Sequence, residues 1–354
     1  MNIVFSTTRQ WNPGDEFIML GCQNLIRKVI GPFNSIIYNR NPQTRRARKY
    51  DFIKIVDNFL GKDFVEKFLD NSVKDRLPMN YADLVVFAGS PEWRGRRMTK
   101  LYDSIAEFNV PAIFMGLGTS GEFEFNSDYF TEGEMAAFNK SKLITCRDSS
   151  CHDALKVTGS NFLPCPALFS SNKQKLITDV KKIALIYGTS SASACNNVSV
   201  ETHNYLLELY RNLMSQFGRE YEFEFVAHYI DELNTFDKDF PNQKLNYSYD
   251  AKDYLEIYGK FDYVIGYRVH GIGISASQGI PGMMIAHDPR ASTVKGFLAQ
   301  IVETGTPVDQ VIEMVKKQIT EVESCSRLLL EHKEKTEQKY IKLLQESLSD
   351  FIAK

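Results

Sequence analysis

Apolar positions along this chain follow two alternating patterns. Short, nearly continuous runs such as Leu84-Val85-Val86-Phe87-Ala88 and Gly282-Met283-Met284-Ile285-Ala286 read as strands buried on both faces. Between such runs lie stretches with apolar residues at helical spacing, as at Phe17, Leu20, Leu25, Val29 and Ile30, the stripe of an amphipathic helix. The alternation occurs twice. A first set takes its strands from the N-terminus to Thr8, Ser35–Tyr38, Asp83–Ala88, Val110–Met115 and Leu143–Cys146. A second takes Lys182–Gly188, Glu222–Ala227, Tyr263–Ile265 and Gly282–Ala286. Strand and helix in alternation predict an α/β fold with parallel strands. The polar run Ser170–Lys175 separates the sets, so the expected units are 1–172, 173–305 and a tail, 306–354. That tail is rich in helix formers, with Val311, Met314, Val315, Leu329, Tyr340 and Leu344 spaced for long amphipathic helices that pack back across the domains.

Length agrees with the division, because 354 residues exceed what one growing core holds. Hydrophobic residues at 43% and charged residues at 24% describe an ordinary globular chain, and a net charge of -2 argues against a nucleic-acid partner. The six cysteines form no C-x-x-C pair, so zinc and disulfides are not expected. The N-terminus enters a strand directly, without the order of a signal peptide, and no apolar run approaches a membrane span; a cytoplasmic protein is expected. Residues 40–80 are less regular. A basic loop with Arg40, Arg45, Arg46, Arg48 and Lys49, read mainly as solvated, precedes a surface helix over Phe59–Val73.

Candidate chemistry collects where strands end. After Tyr263–Ile265 the chain turns at Gly266 and starts a small-residue helix with Arg268 and His270 in its first turn, a position suited to anions. Arg147 follows the strand Leu143–Cys146, with Asp148 or Ser149 as the helix cap; a salt bridge is its alternative duty. Asp15, after the turn Asn12-Pro13-Gly14, is either a helix cap or a ligand-facing carboxylate. His287 and Arg290 end the strand Gly282–Ala286, and His287 reads equally as an edge histidine. The loops Gly89–Arg94, with Ser90, and Gly116–Gly121, with Gly118 and Ser120, let a ligand approach the backbone closely. They lack the dinucleotide fingerprint, so NAD is not expected.

Taken together, Gly14-Asp15, Gly116-Leu117-Gly118-Thr119-Ser120-Gly121, Cys146-Arg147-Asp148-Ser149-Ser150, Pro166-Ala167-Leu168, Gly266-Tyr267-Arg268-Val269-His270-Gly271 and Asp288-Pro289-Arg290 resemble the polysaccharide pyruvyltransferase family. The resemblance covers about residues 2–305, and the Arg-x-His block is its most specific part. It implies two Rossmann-like domains facing across a cleft, as in GT-B glycosyltransferases. It also implies phosphoenolpyruvate as donor and a sugar of a surface polysaccharide, or of its lipid-linked precursor, as acceptor. Two departures stand on the acceptor side: Ala88-Gly89-Ser90-Pro91-Glu92-Trp93 replaces a run of glycines, and Cys165 replaces an Asp before Pro-Ala.

Ketal formation from an enol ether needs a proton on the methylene carbon, stabilisation of the resulting cation, attack by sugar hydroxyls and loss of phosphate. His270, titrating near neutrality, is the expected proton donor. Arg268 and Arg147 are expected to fork onto phosphate and carboxylate, and Asp15 to take the acceptor's proton. Gly14, Ser90, Gly116, Gly118, Ser120, His287 and Arg290 are expected to line the substrates. No cofactor or metal is expected. Peripheral contact with the inner face of a membrane and homo-oligomerisation stay open. The alternatives are a nucleotide-sugar glycosyltransferase on the same plan and a catalytically silent glycan-binding homologue.

Overall fold

The computed structural model describes residues 1–9, 12–40, 79–89, 99–119, 122–190 and 198–352. The expected helix over 59–73, the basic residues 45–49, Ser90 and Ser120 lie outside the described residues. Two six-stranded parallel sheets form the frame. The first contains β1 (Asn2–Thr7), β2 (Asn34–Asn39), β3 (Leu84–Ala88), β4 (Ala112–Leu117), β5 (Leu143–Cys146) and β6 (Asn161–Phe162), in the order β2-β1-β3-β4-β5-β6. The second contains β7 (Lys182–Ile186), β8 (Glu222–Val226), β9 (Leu245–Asn246), β10 (Tyr263–Gly266), β11 (Gly282–Ala286) and β12 (Gln300–Glu303), in the order β12-β11-β10-β7-β8-β9. Both orders reverse beside the first strand of the sheet, between β1 and β3 and between β7 and β10. Open α/β sheets bind ligands outside the strand ends at such points.

Eleven helices are described: α1 (Pro13–Ile30), α2 (Thr99–Glu107), α3 (Glu132–Lys140), α4 (Ser149–Ala154), α5 (Val200–Phe217), α6 (Leu233–Asp239), α7 (Asp253–Gly259), α8 (Val269–Ala276), α9 (Val308–Thr320), α10 (Val322–Ser347) and α11 (Ser349–Ile352). The strands β3, β4 and β11 are buried along their whole lengths, which is why their runs are continuously apolar instead of alternating. On one face of the first sheet Phe87, Phe114 and Phe138 stack with ring centroids 4.4 and 4.1 Å apart. Its other face shares a core with the second domain, through Phe17, Ile18 and Leu25 of α1.

Local chemistry moves some boundaries. Asn12, not Asp15, caps α1: its side chain accepts from the Gly14 amide at 3.2 Å, and Pro13 fills the first helical position, where no donor is needed. Asp148 caps α4 by accepting from Cys151 N at 2.8 Å. The strand expected to end at Met115 runs to Leu117, with an irregular register against β5. Helix α6 stands where the sequence reads as a polar loop between Ala227 and Tyr254, and α3 in a stretch with no assignment; α3 begins with a capping box, Thr131 and Glu134.

The tail crosses back onto the first domain. Tyr340 in α10 donates to the Pro164 carbonyl at 2.8 Å, and Lys28 of α1 pairs with Glu337. Lys333, buried in α10, donates to the carbonyls of Ser171 in the linker and Ser277 at the end of α8. Burial, with Lys28 adding to it and Glu337 opposing, lowers its amine to about 8. The helix thereby ties both domains and their linker together.

Candidate active site

The ends of β1, β5, β10 and β11 converge where α1 and α8 meet. His270 stands in the first turn of α8, at the end of β10. A Cβ added to Gly14, in the first turn of α1, would lie 2.7 Å from His270 Nδ1. Only glycine therefore lets the two helix starts approach this closely. From the same side Arg147, at the end of β5, brings Nη1 to 3.1 Å from His270 Nε2. Guanidinium has only donors, so His270 Nε2 accepts and the imidazole is neutral in this arrangement. Burial, the positive charge of Arg147 and that of Arg290 all hold the His270 pKa well below its ordinary value. This corrects the expectation of a histidine titrating near neutrality: as the site stands, His270 carries no proton to give.

Arg147 is itself buried, and its Nη1 also points to Cys165 Sγ at 3.8 Å. Burial raises the Cys165 thiol pKa more than Arg147 lowers it, so the sulfur stays protonated beside the guanidinium. Gly118 makes room for this side chain, since a Cβ there would lie 2.4 Å from Arg147 Nε. Asp148 Oδ2 holds the Thr119 amide at 2.9 Å and fixes the loop over Arg147. Gly116 does something different from the substrate contact expected of it. It is buried at φ +71, with Pro166 Cδ 2.3 Å from where its Cβ would stand, and so it packs the sheet against the segment before the linker.

Arg268 is not an open fork. Its Nη2 is bonded to Glu232 Oε1, and its guanidinium lies 4.1 Å from the Tyr229 ring centroid and 4.6 Å from that of Tyr267. Glu232, fully buried, also accepts from Tyr267 OH at 3.1 Å and from the amides of His228 and Tyr229 at 2.9 and 3.0 Å. A buried carboxylate is tolerated there because each oxygen is bonded. Tyr229 OH reaches across the cleft to Asn12 Oδ1 at 3.4 Å, and burial pushes its pKa up to about 12. His228 bonds Tyr258 OH at 2.7 Å and is kept neutral by burial and by the Arg268 charge.

Asp15 pairs with Arg40 at 3.0 Å, and Arg40 also donates to Thr8 Oγ1 at 3.4 Å. Arg40, read from the sequence as the start of a solvated loop, is 3% exposed. On the second domain's rim Arg290 chelates Asp288, which caps the turn after β11; burial works against that carboxylate, but the Arg290 bonds and charge hold it below the usual range. His287 sits beside Asp288 at 3.3 Å and edge-on to Tyr267. The structure thus brings His270, Arg147, Gly14 and Gly118 together, with Asp15 on the same helix turn as Gly14. Arg268 is set behind them, Gly116 away from them, and Ser90 and Ser120 lie outside the described residues. Glu232, Tyr229 and Arg40 were not named as site residues, and only position in space singles them out.

The family model described as Polysaccharide pyruvyl transferase matches residues 12–289. Among curated proteins none matches. Solved structures with the same fold include UDP-GlcNAc 2-epimerase from Neisseria meningitidis bound to UDP-GlcNAc, at 10% identity and a TM-score of 0.55, covering 99% of this chain and 100% of that one. The S. aureus MnaA-UDP structure matches at 13% identity and a TM-score of 0.53, covering 92% and 90%. Anabaena HepE in complex with UDP-glucose matches at 10% identity and a TM-score of 0.52, covering 99% and 100%. These likenesses support two Rossmann-like domains on the GT-B plan.

Proposed function

This chain belongs to the polysaccharide pyruvyl transferase family, and on that premise we propose that it moves the enolpyruvyl group of phosphoenolpyruvate onto a glycan sugar as a pyruvate ketal. The observation that carries this reading is the Arg147–His270 contact at 3.1 Å. A buried guanidinium set against a histidine that burial and the positive charges of Arg147 and Arg290 keep neutral is a site suited to a small polyanion. Phosphoenolpyruvate brings a phosphate and a carboxylate. Arg147, drawn onto those groups in forked bonds, releases Nε2, and the donor's negative charge restores the affinity of His270 for a proton.

The imidazolium then protonates the methylene carbon, and the C=C electron pair forms the new C–H bond. The cationic carbon that results is stabilised by the adjacent oxygen and carboxylate. One sugar hydroxyl adds and gives its proton to Asp15, whose Oδ2 is held by Arg40 and whose second oxygen faces the acceptor in this proposal. Phosphate leaves with the proton that Asp15 had taken, and the second hydroxyl closes the ketal and returns a proton to His270. Arg268 acts as a positioning residue: with Glu232 it sets Tyr229 and the start of α8. The acceptor is a surface polysaccharide or its lipid-linked precursor, and the protein works in the cytoplasm or at the inner face of a membrane. Among the described residues no helix is long and apolar enough to cross one.

Phosphate release together with a carboxyethylidene mass gain on a panel of pyranose glycans is the direct test. The absence of both, with no calorimetric binding of phosphoenolpyruvate, overturns the proposal. A second reading is favoured by the neighbours bound to UDP or UDP-sugars: a nucleotide-sugar enzyme. Stabilisation by UDP that disappears in Arg147→Ala, without stabilisation by phosphoenolpyruvate, would select it.

A further inference from the structure

On the face of the molecule behind the cleft, the linker Ser170–Lys175 crosses between the domains and encloses a cavity of about 720 Å³. Its walls come from α1 through Leu20 and Asn24, from the linker, from α7 through Lys252 and Leu255, and from Gln278 beyond α8. Volumes of this size suit small-molecule ligands. Nothing in the proposed transfer uses it.

Three features of the wall point the same way. Lysines dominate it: Lys173, Lys175, Lys252 and Lys260 line the cavity, against the single carboxylate of Glu256. Lys175 is spent on the Phe261 carbonyl at 2.7 Å and Asp262 at 3.3 Å, whereas Lys173, Lys252 and Lys260 pair with no carboxylate among the described residues. Gln278 is 6% exposed and its side-chain Nε2 has no hydrogen-bond partner, although a buried amide donor left unmade costs about 1–3 kcal/mol. Gln278 lines the cavity, and its backbone is fixed, since Lys175 N donates to Gln278 O at 2.9 Å. Finally, Leu20 and Leu255 give the cavity an apolar surface.

We infer that this hinge cavity binds a phosphorylated small molecule, with its phosphates against Lys173, Lys252 and Lys260, its body over Leu20 and Leu255, and an acceptor atom on the Gln278 amide. The site is separate from the cleft. Gln278 lies eight residues after His270 on the α8 segment, about 12 Å along a helix axis. Because both domains and the linker contribute walls, an occupant contacts all three and favours the domain arrangement in which they meet.

The test uses the full chain and two probes, uridine diphosphate and inorganic pyrophosphate, in isothermal titration calorimetry. Uridine diphosphate is expected to bind, and to bind more tightly than pyrophosphate, which has no body to place on the leucines. The exposed pair Lys252→Glu and Lys260→Glu is expected to weaken it at least about tenfold with the unliganded melting temperature unchanged. Gln278→Met is expected to weaken it severalfold, while Arg147→Ala leaves it intact. Failure of both probes to bind, or binding indifferent to the lysine pair, overturns the inference. Binding lost in Arg147→Ala overturns it by assigning the ligand to the cleft, and equal affinity for the two probes overturns the role given to the leucines and Gln278. The phosphoenolpyruvate assay is read separately on the same variants, so the two proposals fail independently.

Discussion

On the second domain's side of the cleft, the Arg268 charge is answered by Glu232, faced by two tyrosine rings and buried before any substrate arrives. On the first domain's side, Arg147 lies against a protonated thiol and the neutral imidazole of the other domain. In the first arrangement both Glu232 oxygens are bonded, while Arg268 Nε and Nη1 are buried with no hydrogen-bond partner among the described residues. The second sets a buried guanidinium directly against the imidazole of the other domain. Both arginines follow a parallel strand by one or two residues. What separates them is the neighbours the fold sets beside each: for Arg268 a carboxylate with both oxygens bonded, for Arg147 a neutral thiol and a neutral imidazole among others.

Removing His270 tests the contrast most severely. His270→Ala is expected to lower turnover about 10²–10⁴-fold with the phosphoenolpyruvate affinity largely kept, because Arg147 remains. Full turnover in that variant would remove the proton-transfer role. Glu232→Ala probes the second domain's side: it leaves the Arg268 charge and two backbone amides buried without their partner, and urea unfolding is expected to show a loss of about 3–5 kcal/mol. Gly14→Ala acts on the boundary between the halves. Its methyl would displace His270, and about a 10²-fold fall in kcat/KM is expected with circular dichroism unchanged.

Acid should expose the same difference. His270 and His228 have folded pKa values below the unfolded one, so in the window below about pH 6.5 the unfolded chain binds more protons. Stability is therefore complete above that pH and falls beneath it, by up to about 1.4 kcal/mol per pH unit for each histidine. Phosphoenolpyruvate should oppose the trend, since its binding charges His270; calorimetry near pH 6 in buffers of different ionisation enthalpy should report proton uptake. Uptake of zero in every buffer would contradict the charge-restoring step. The smallest expected effect comes from Cys165→Asp. A carboxylate facing Arg147 competes with the donor's anionic groups for the guanidinium, and KM for the donor should rise severalfold with kcat little changed.

Much of the frame is legible along the chain. Strands buried on both faces cannot avoid continuous apolar runs, so β3, β5, β10 and β11 stand out, and each delivers the next residues to the same end of a parallel sheet. That alone places Arg147, Arg268, His270 and His287 at the carboxyl ends of strands. Local sequence also carries the Asp148 cap, through its spacing to the helix. It misplaced the cap of α1, where Pro13 and Asn12 outcompete Asp15.

Charge states were decided by tertiary structure. Glu232 reaches Arg268 from 36 residues away, Arg40 reaches Asp15 from 25, and Arg147 reaches His270 from 123. Each pairing changes the desolvation and field that a group feels, and these depend on distances through space that no local spacing encodes. The sequence by itself therefore determined which side chains arrive at the cleft. Only the packing of two domains through α1, α8 and the tail decided which arginine meets a buried carboxylate and which histidines are held neutral.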